Sequence, residues 1–211
     1  MQWLPEGLRR LKEQVRELYV QSAELRELSE WIGEFGRLET LDLRGDDEQP
    51  HREGRENGEM TNLPESIGNL ECLKAQHLSG FAQLEALPES IGRLTALESL
   101  NLGACGLTEL PVGLRQLTSL RTLHITDLNQ LSMLPSTLWV LTGLQELTID
   151  NCESFEELPP SIGQLMSLCT LRVSGLPLQT LPSTFGALAG LRKLRIRFCS
   201  SSRKCRSASS S

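Results

Sequence analysis

Three histidines and the carboxylates around them are the first residues in this sequence that could do chemistry. The histidines are His51, His77 and His124. An imidazole titrates near neutral pH, so it can act as an acid, a base or a metal ligand. His124, Asp127 and Asp150 fall on neighbouring segments and could in principle carry acid–base work.

The motifs that usually accompany such chemistry are absent from the sequence. It contains no G-x-x-x-x-G-K-[ST], no H-E-x-x-H and no G-x-S-x-G. His77 and His124 fall on predicted strands two steps apart, at about 10 Å, which is too far for one metal ion without another ligand. We therefore expect no catalytic residue, no cofactor and no metal site, and predict that the protein is not an enzyme.

A group of cationic residues near the C-terminus is the other chemically distinctive feature. Arg172, Lys193, Arg195 and Arg197 gather towards the C-terminal end, with Phe198 beside them. Guanidinium groups and an aromatic ring could hold an acidic peptide or a phosphate. Alternatively, Arg172 pairs with a carboxylate of the preceding strand, Asp150 or Glu146, and the other cations form a solvated end face.

A repeated sequence motif positions the histidines and the cations. From Leu87 the sequence reads LPESIGRLTALESLNLGACGLTEL, and Pro111 begins the phrase again. Leu97, Leu100 and Leu102 form L-x-x-L-x-L, and Cys105 follows at a bend where a small side chain can satisfy backbone groups. This pattern is typical of a leucine-rich repeat, a strand followed by a turn and a short helical or 3₁₀ segment. One unit cannot cover its own leucines, so copies must stack.

The repeat predicts the domain organisation. Leu-Pro recurs at intervals of 23 or 24 residues from Leu63 to Leu181. We predict an α/β solenoid, a curved horseshoe with a concave parallel sheet and short helical or 3₁₀ segments on the convex face. It comprises about eight repeats over residues 1–199, with a solvated insertion loop at 45–60, which is a tolerated surface insertion or a recognition loop. Residues 200–211 are predicted to be a Ser-rich, basic, disordered tail.

Three local features refine this prediction. Gln76 occupies a leucine slot and needs a hydrogen-bond partner, which the insertion could supply. Gly92 is expected to end its turn with a positive φ. Trp139 lies on the outer side, where it packs between adjacent turns or, with Val140, marks a second contact surface.

Stacking also predicts a binding surface, because it aligns equivalent outward residues in columns across the concave face. One column runs from Tyr19 to Arg195, and its neighbour ends at Arg197. Small residues near the middle leave room for a partner to approach. The candidate partner-binding residues are Tyr19, Asp42, His77, Asn101, His124, Asp150, Arg172, Arg195 and Arg197.

Composition limits the partners and the compartment. The net charge of −6 and the isoelectric point near 5.2 argue against a general nucleic-acid binder. No apolar run is long enough to insert into a membrane. Cys105, Cys152 and Cys199 share one repeat position, so we expect buried thiols rather than disulfides. With no apolar signal core and no N-glycosylation sequon, we expect a cytoplasmic monomer that binds a protein partner.

The phrases LPESIGNL at Leu63, LPESIGRL at Leu87 and LPPSIGQL at Leu158 carry a family resemblance. They resemble plant intracellular Ras-group-related leucine-rich repeat proteins and the repeat domains of plant nucleotide-binding disease resistance proteins. The resemblance implies a non-enzymatic scaffold that contacts proteins through its concave face in intracellular signalling. It also implies an alternative, a sensor or autoinhibitory segment of a nucleotide-binding resistance protein in the defence response.

Overall fold

The computed structural model describes residues 2–45, 58–178 and 180–198. Within these ranges the chain forms one parallel sheet of eight strands in sequence order. The strands are β1 (Glu17–Gln21), β2 (Thr40–Arg44), β3 (Ala75–Ser79), β4 (Ser99–Gly103), β5 (Thr122–Thr126), β6 (Glu146–Asp150), β7 (Thr170–Leu176) and β8 (Lys193–Phe198).

Each strand is preceded by a short 3₁₀ helix on the opposite side of the stack. These helices are η1 (Glu6–Leu11), η2 (Glu30–Glu34), η3 (Glu65–Asn69), η4 (Glu89–Arg93), η5 (Val112–Gln116), η6 (Ser136–Val140), η7 (Pro160–Gln164) and η8 (Ser183–Ala187). The predicted solenoid is confirmed: strands stack on strands and 3₁₀ helices stack on 3₁₀ helices.

The core lies between these two layers and is built from the repeated leucines. Leu97, Leu100 and Leu102 are buried, as are their equivalents from the second to the seventh unit; Gln76, which is also buried, is the polar residue among them. Alternation along each strand turns one set of side chains inward and the other outward. The register of the sheet therefore fixes which residues share the concave face.

The bend after each strand is also repeated in the backbone. Gly80, Ala104, Asp127 and Asn151 follow β3 to β6, Gly175 lies near the end of β7, and all five have positive φ. The N–H groups of the first four extend the sheet by one bond; that of Ala104, for example, donates to the carbonyl of Thr126 at 3.0 Å. Asn and Asp tolerate this region better than Ala, whose Cβ is crowded there.

Cysteines line the stack just inside this bend, as predicted. The Sγ of Cys105 donates to the carbonyl oxygen of Gly103 at 3.2 Å, and that of Cys152 to Asp150 at 3.4 Å. Burial raises the pKa of the Cys152 thiol to about 11, which keeps it protonated. None of the described cysteines, Cys72, Cys105, Cys152 and Cys169, forms a disulfide. Cys199 and Cys205 lie outside the described residues.

The convex side is packed more closely than the sequence indicated. Gly92 is not among the glycines with positive φ, so that prediction was wrong. A Cβ at Gly92 would instead lie 2.5 Å from the carbonyl oxygen of Gly113 in η5. Glycine is needed there because two turns stack almost in contact. The Glu89 carboxylate in η4 accepts a hydrogen bond from the Gly113 N–H at 2.8 Å, which links the same two turns.

Trp139 occupies the corresponding position of η6 and is buried, with 1% of its surface exposed. Packing between turns, one of the two uses expected for this side chain, is therefore what the structure shows. Val140 next to it is exposed.

Described residues at both ends of the predicted insertion lie in the core. Residues 46–57 lie outside the described residues. Gly45, Gly58 and Met60, which we placed inside the solvated excursion, are buried. A Cβ at Gly58 would meet the ring of Phe81, and Gly58 donates its N–H to the carbonyl of Gly80 at 2.8 Å. The chain has therefore rejoined the core by Gly58. The predicted tail at 200–211 also lies outside the described residues.

Candidate functional site

The concave face carries the predicted columns in register. Strand pairing aligns Tyr19 with Asp42, His77, Asn101, His124, Thr148, Arg172 and Arg195 in one row. Asp150 and Arg197 belong to the neighbouring row, where Ser174 lies between them. Neighbouring strands of a sheet are about 4.8 Å apart, so each row is a continuous line of side chains. The structure thus brings all nine predicted residues onto one surface.

At the N-terminal end of this surface, polar side chains are hydrogen-bonded to each other. Tyr19 is 64% exposed, and its hydroxyl donates to Glu17 at 3.1 Å. Asp42 is only 7% exposed. Arg44 donates to both of its carboxylate oxygens, at 3.0 and 2.9 Å. Asp42 therefore neutralises a neighbouring cation and presents little charge to a partner, which the sequence did not indicate.

The middle of the surface is polar and half-buried. His124 Nε2 lies 3.5 Å from Oε1 of Glu146 but makes no hydrogen bond. The Thr148 hydroxyl, beside it in the row, also has no hydrogen-bond partner. An imidazole that is protonated would attract the Glu146 carboxylate. Glu146 was missed as a site residue, although the register Thr122↔Glu146 places it diagonally opposite His124.

The residues considered for acid–base work in the sequence have other contacts in the structure. The Asp150 carboxylate accepts a hydrogen bond from the Ser174 hydroxyl, and Nε2 of His124 lies within ion-pair distance of Glu146. In the described ranges, no cluster of three or more His, Cys, Asp or Glu side chains could hold a metal ion.

Small residues shape the floor of the middle region. Ala75, Ser79 and Ser99 lie on β3 and β4, and Gly103 ends β4. Gly103 is buried, and a Cβ added there would lie 2.9 Å from Oγ1 of Thr126. Thr126 therefore fills part of the room that the small residues leave.

The C-terminal end of the surface is cationic and exposed to solvent. Arg172, Lys193, Arg195 and Arg197 are all exposed. Among the residues that the structure describes, none of these four has an ion-pair partner. The alternative in which Arg172 pairs with Asp150 or Glu146 is therefore wrong. The side chain of Phe198 lies outside what the structure describes.

Comparison with known proteins identifies the architecture. Residues 54–156 match a family model described as a leucine-rich repeat region. A leucine-rich repeat protein of Leptospira interrogans has a similar structure, with a TM-score of 0.72 and 26% identity over 94% of this chain and 53% of that one. The fold is a leucine-rich repeat solenoid.

Two further solved structures share this solenoid. The leucine-rich repeat domain of the type III effector XopL has a TM-score of 0.70 and 25% identity, over 92% of this chain and 72% of that one. Internalin C2 from Listeria monocytogenes has a TM-score of 0.64 and 19% identity, over 89% and 83%, which shows the fold alone. The chain spans about half the length of the Leptospira protein. Among curated proteins, no sequence matches this chain.

The solenoid is the fold of a protein-interaction module. Leucine-rich repeat proteins are in general non-enzymatic, and they bind along an extended concave surface. In the described chain, no helix is both long and apolar enough to cross a bilayer.

Proposed function

We propose that this chain is a non-enzymatic scaffold that binds a protein partner on its concave face, as an adaptor in intracellular signalling. One observation carries the proposal: an unbroken row of polar side chains, from Tyr19 to Arg195, crosses eight paired strands. Such a row gives many separate contacts to a large partner, and its varied chemistry suits the selection of one surface over others. We propose in addition that the protein is a cytoplasmic monomer and that its partners do not include nucleic acid.

The experiment is an affinity purification from a lysate of the cell of origin, with the whole chain as bait. The test variant combines Asn101→Glu with His124→Glu at the centre of the concave row. A control with a larger charge change combines Arg93→Glu with Arg115→Glu, two exposed convex positions in η4 and η5. Circular dichroism first establishes that all baits are folded. The proposal predicts a partner that is retained by the wild type and the convex control and lost from the concave variant.

Equal recovery by all three baits, or loss only from the convex control, would rule out the central concave row as the binding surface. Expression of a tagged chain followed by cell fractionation tests the location, and recovery outside the cytoplasmic fraction would contradict it.

A second candidate function is a sensor or autoinhibitory segment of a plant-type nucleotide-binding resistance protein. The phrases at Leu63, Leu87 and Leu158 support it, because they resemble the repeats of that class. It requires a nucleotide-binding domain encoded upstream and in frame with Met1. Sequencing of the full transcript tests this, and an in-frame stop codon shortly before Met1 would exclude it.

A further inference from the structure

In the part of the chain that the structure describes, the outer side of β8 is an open sheet edge. Within the described chain, β8 is hydrogen-bonded to β7 on one side and is the last strand in the sheet order. An edge strand presents a row of N–H and C=O groups that can pair with another extended segment. β8 is therefore equipped to accept one more strand.

The inward-facing residues of β8 lack the cover that their equivalents have. Leu194 pairs in register with Leu171, and Ile196 with Val173. Leu171 and Val173 are buried, whereas Leu194 is 50% exposed and Ile196 is only half-buried. Stacking buries such residues only when an apolar row lies on both sides. A strand that docks on β8 would gain by placing apolar side chains over these two.

The outward-facing residues of β8 have the opposite character. Lys193, Arg195 and Arg197 alternate with the apolar pair and face the concave side. Arg172 adds a fourth cation beside Arg195. These side chains are exposed and lack carboxylate partners among the described residues, in a protein whose net charge is −6. A docked strand would gain by placing acidic side chains over these positions.

We propose that β8 is a docking edge for a partner polypeptide whose extended segment alternates apolar and acidic residues. Side chains alternate between the two faces of a strand, so one such segment meets both needs at once. The segment adds as a ninth strand, with apolar residues over Leu194 and Ile196 and carboxylates beside Lys193, Arg195 and Arg197. This inference rests on the proposed protein-binding role and adds a contact beyond the central concave row.

A second copy of this chain is a poorer occupant. Two β8 edges paired with each other would bring both sets of cations together, and like charges on neighbouring strands repel. The other edge of the sheet, β1, presents Glu17, Tyr19 and Gln21 on its concave side. It would offer one carboxylate to three cations, and Glu17 already accepts the Tyr19 hydroxyl.

The test uses the whole chain and synthetic peptides as long as β8, with binding measured by isothermal titration calorimetry. The probe alternates Glu and Val. One control peptide has the same composition with the Glu and Val residues in separate blocks, and another is N-methylated at alternate residues to block strand pairing. We expect one-to-one binding of the alternating peptide, with each control about tenfold weaker or more.

Protein variants assign the contacts. Lys193→Glu with Arg195→Glu, and separately Leu194→Ser, should each weaken the alternating peptide about tenfold. Arg93→Glu with Arg115→Glu makes the same charge change on the convex side and should leave the affinity unchanged. The concave variant, Asn101→Glu with His124→Glu, should also bind the peptide normally, so failure of the proposed function and failure of the docking edge give different results.

Three outcomes would overturn the proposal. The alternating peptide does not bind, the blocked or N-methylated peptide binds as well, or the β8 variants bind as the wild type does. Sedimentation velocity provides a fourth: concentration-dependent self-association that Leu194→Ser removes would make a second copy the occupant.

Discussion

The two ends of the solenoid differ in whether their charged side chains form ion pairs. At the N-terminal end, cations bind carboxylates of a neighbouring repeat. Arg9 and Lys12 both bind Glu34, and Arg16 and Lys74 both bind Glu39. At the C-terminal end the four cations of β7 and β8 have no such partners among the described residues. The contrast indicates that charges at the N-terminal end are paired within the protein, whereas charge at the C-terminal end is available to another molecule.

Titration of the N-terminal carboxylates reflects these contacts. Hydrogen bonds from Arg9 and then Lys12 lower the pKa of Glu34 to about 2. Hydrogen bonds from Lys74 and Arg16 lower the pKa of Glu39, and one from Arg26 lowers the pKa of Glu59. These pairs are partly exposed, so solvent screens them and each contributes modestly to stability.

The largest expected effect compares a leucine in the middle with its equivalent at the open end. Leu100 is 1% exposed and Leu194 is 50% exposed, although both occupy the same strand position. Leu100→Asp buries an unpaired charge and should reduce the free energy of unfolding by more than about 3 kcal/mol. Leu194→Asp can keep its carboxylate in water, near cations, and should cost about 1 kcal/mol or less. Urea denaturation followed by circular dichroism measures both. Equal losses would mean that the C-terminal end is covered.

An intermediate effect concerns β3, in the N-terminal half. Gln76 is 2% exposed, in register between Leu41 and Leu100, and neither its Nε2 nor its Oε1 has a hydrogen-bond partner. Residues 46–57, to which a bond was expected, lie outside the described residues. Gln76→Leu removes an unsatisfied amide and restores the leucine row, so it should stabilise the protein by about 1–3 kcal/mol. Urea denaturation gives this value too. Gln116→Leu, at an exposed position of η5, is the control and should change stability by less than about 0.5 kcal/mol. A destabilised Gln76→Leu protein would show that the amide is satisfied after all.

The smallest effect is the response of the N-terminal end to acid. A carboxylate with a lowered pKa stabilises the folded state above its unfolded pKa, here 4.5, and loses this contribution as the pH falls towards about 2. Trp31 packs on Phe35, next to Glu34, with ring centroids 5.8 Å apart. We expect its indole N–H signal in ¹⁵N NMR to broaden or shift between pH 4.5 and 2 before that of the buried Trp139 does. Glu34→Gln should remove this difference. Simultaneous change of both signals would mean that the two ends do not differ in acid.

Residues at equivalent positions of the repeat could be predicted because stacking makes them neighbours. The inward row containing Leu100, the outward row from Tyr19 to Arg195 and the ladder thiols Cys105 and Cys152 all follow from one interval in the chain. Prediction failed where a contact joins positions that the repeat does not relate. Met60 returns to the core from an insertion, and Glu146 reaches His124 diagonally.

By itself the sequence determined the solenoid, its strand register and the composition of its concave face, because repeats of 23 or 24 residues bury their inward-facing leucines by stacking in register. The tertiary structure alone decided which polar groups are paired. Arg44 donates hydrogen bonds to Asp42, and the absence of a side chain at Gly92 lets the turn that contains Gly113 pack against it. In the described chain, the Gln76 amide has no hydrogen-bond partner, and the four cations of β7 and β8 have no ion-pair partner. Such pairings depend on angles and distances of a few tenths of an ångström between side chains of different repeats, and the order of residues along one chain does not specify them.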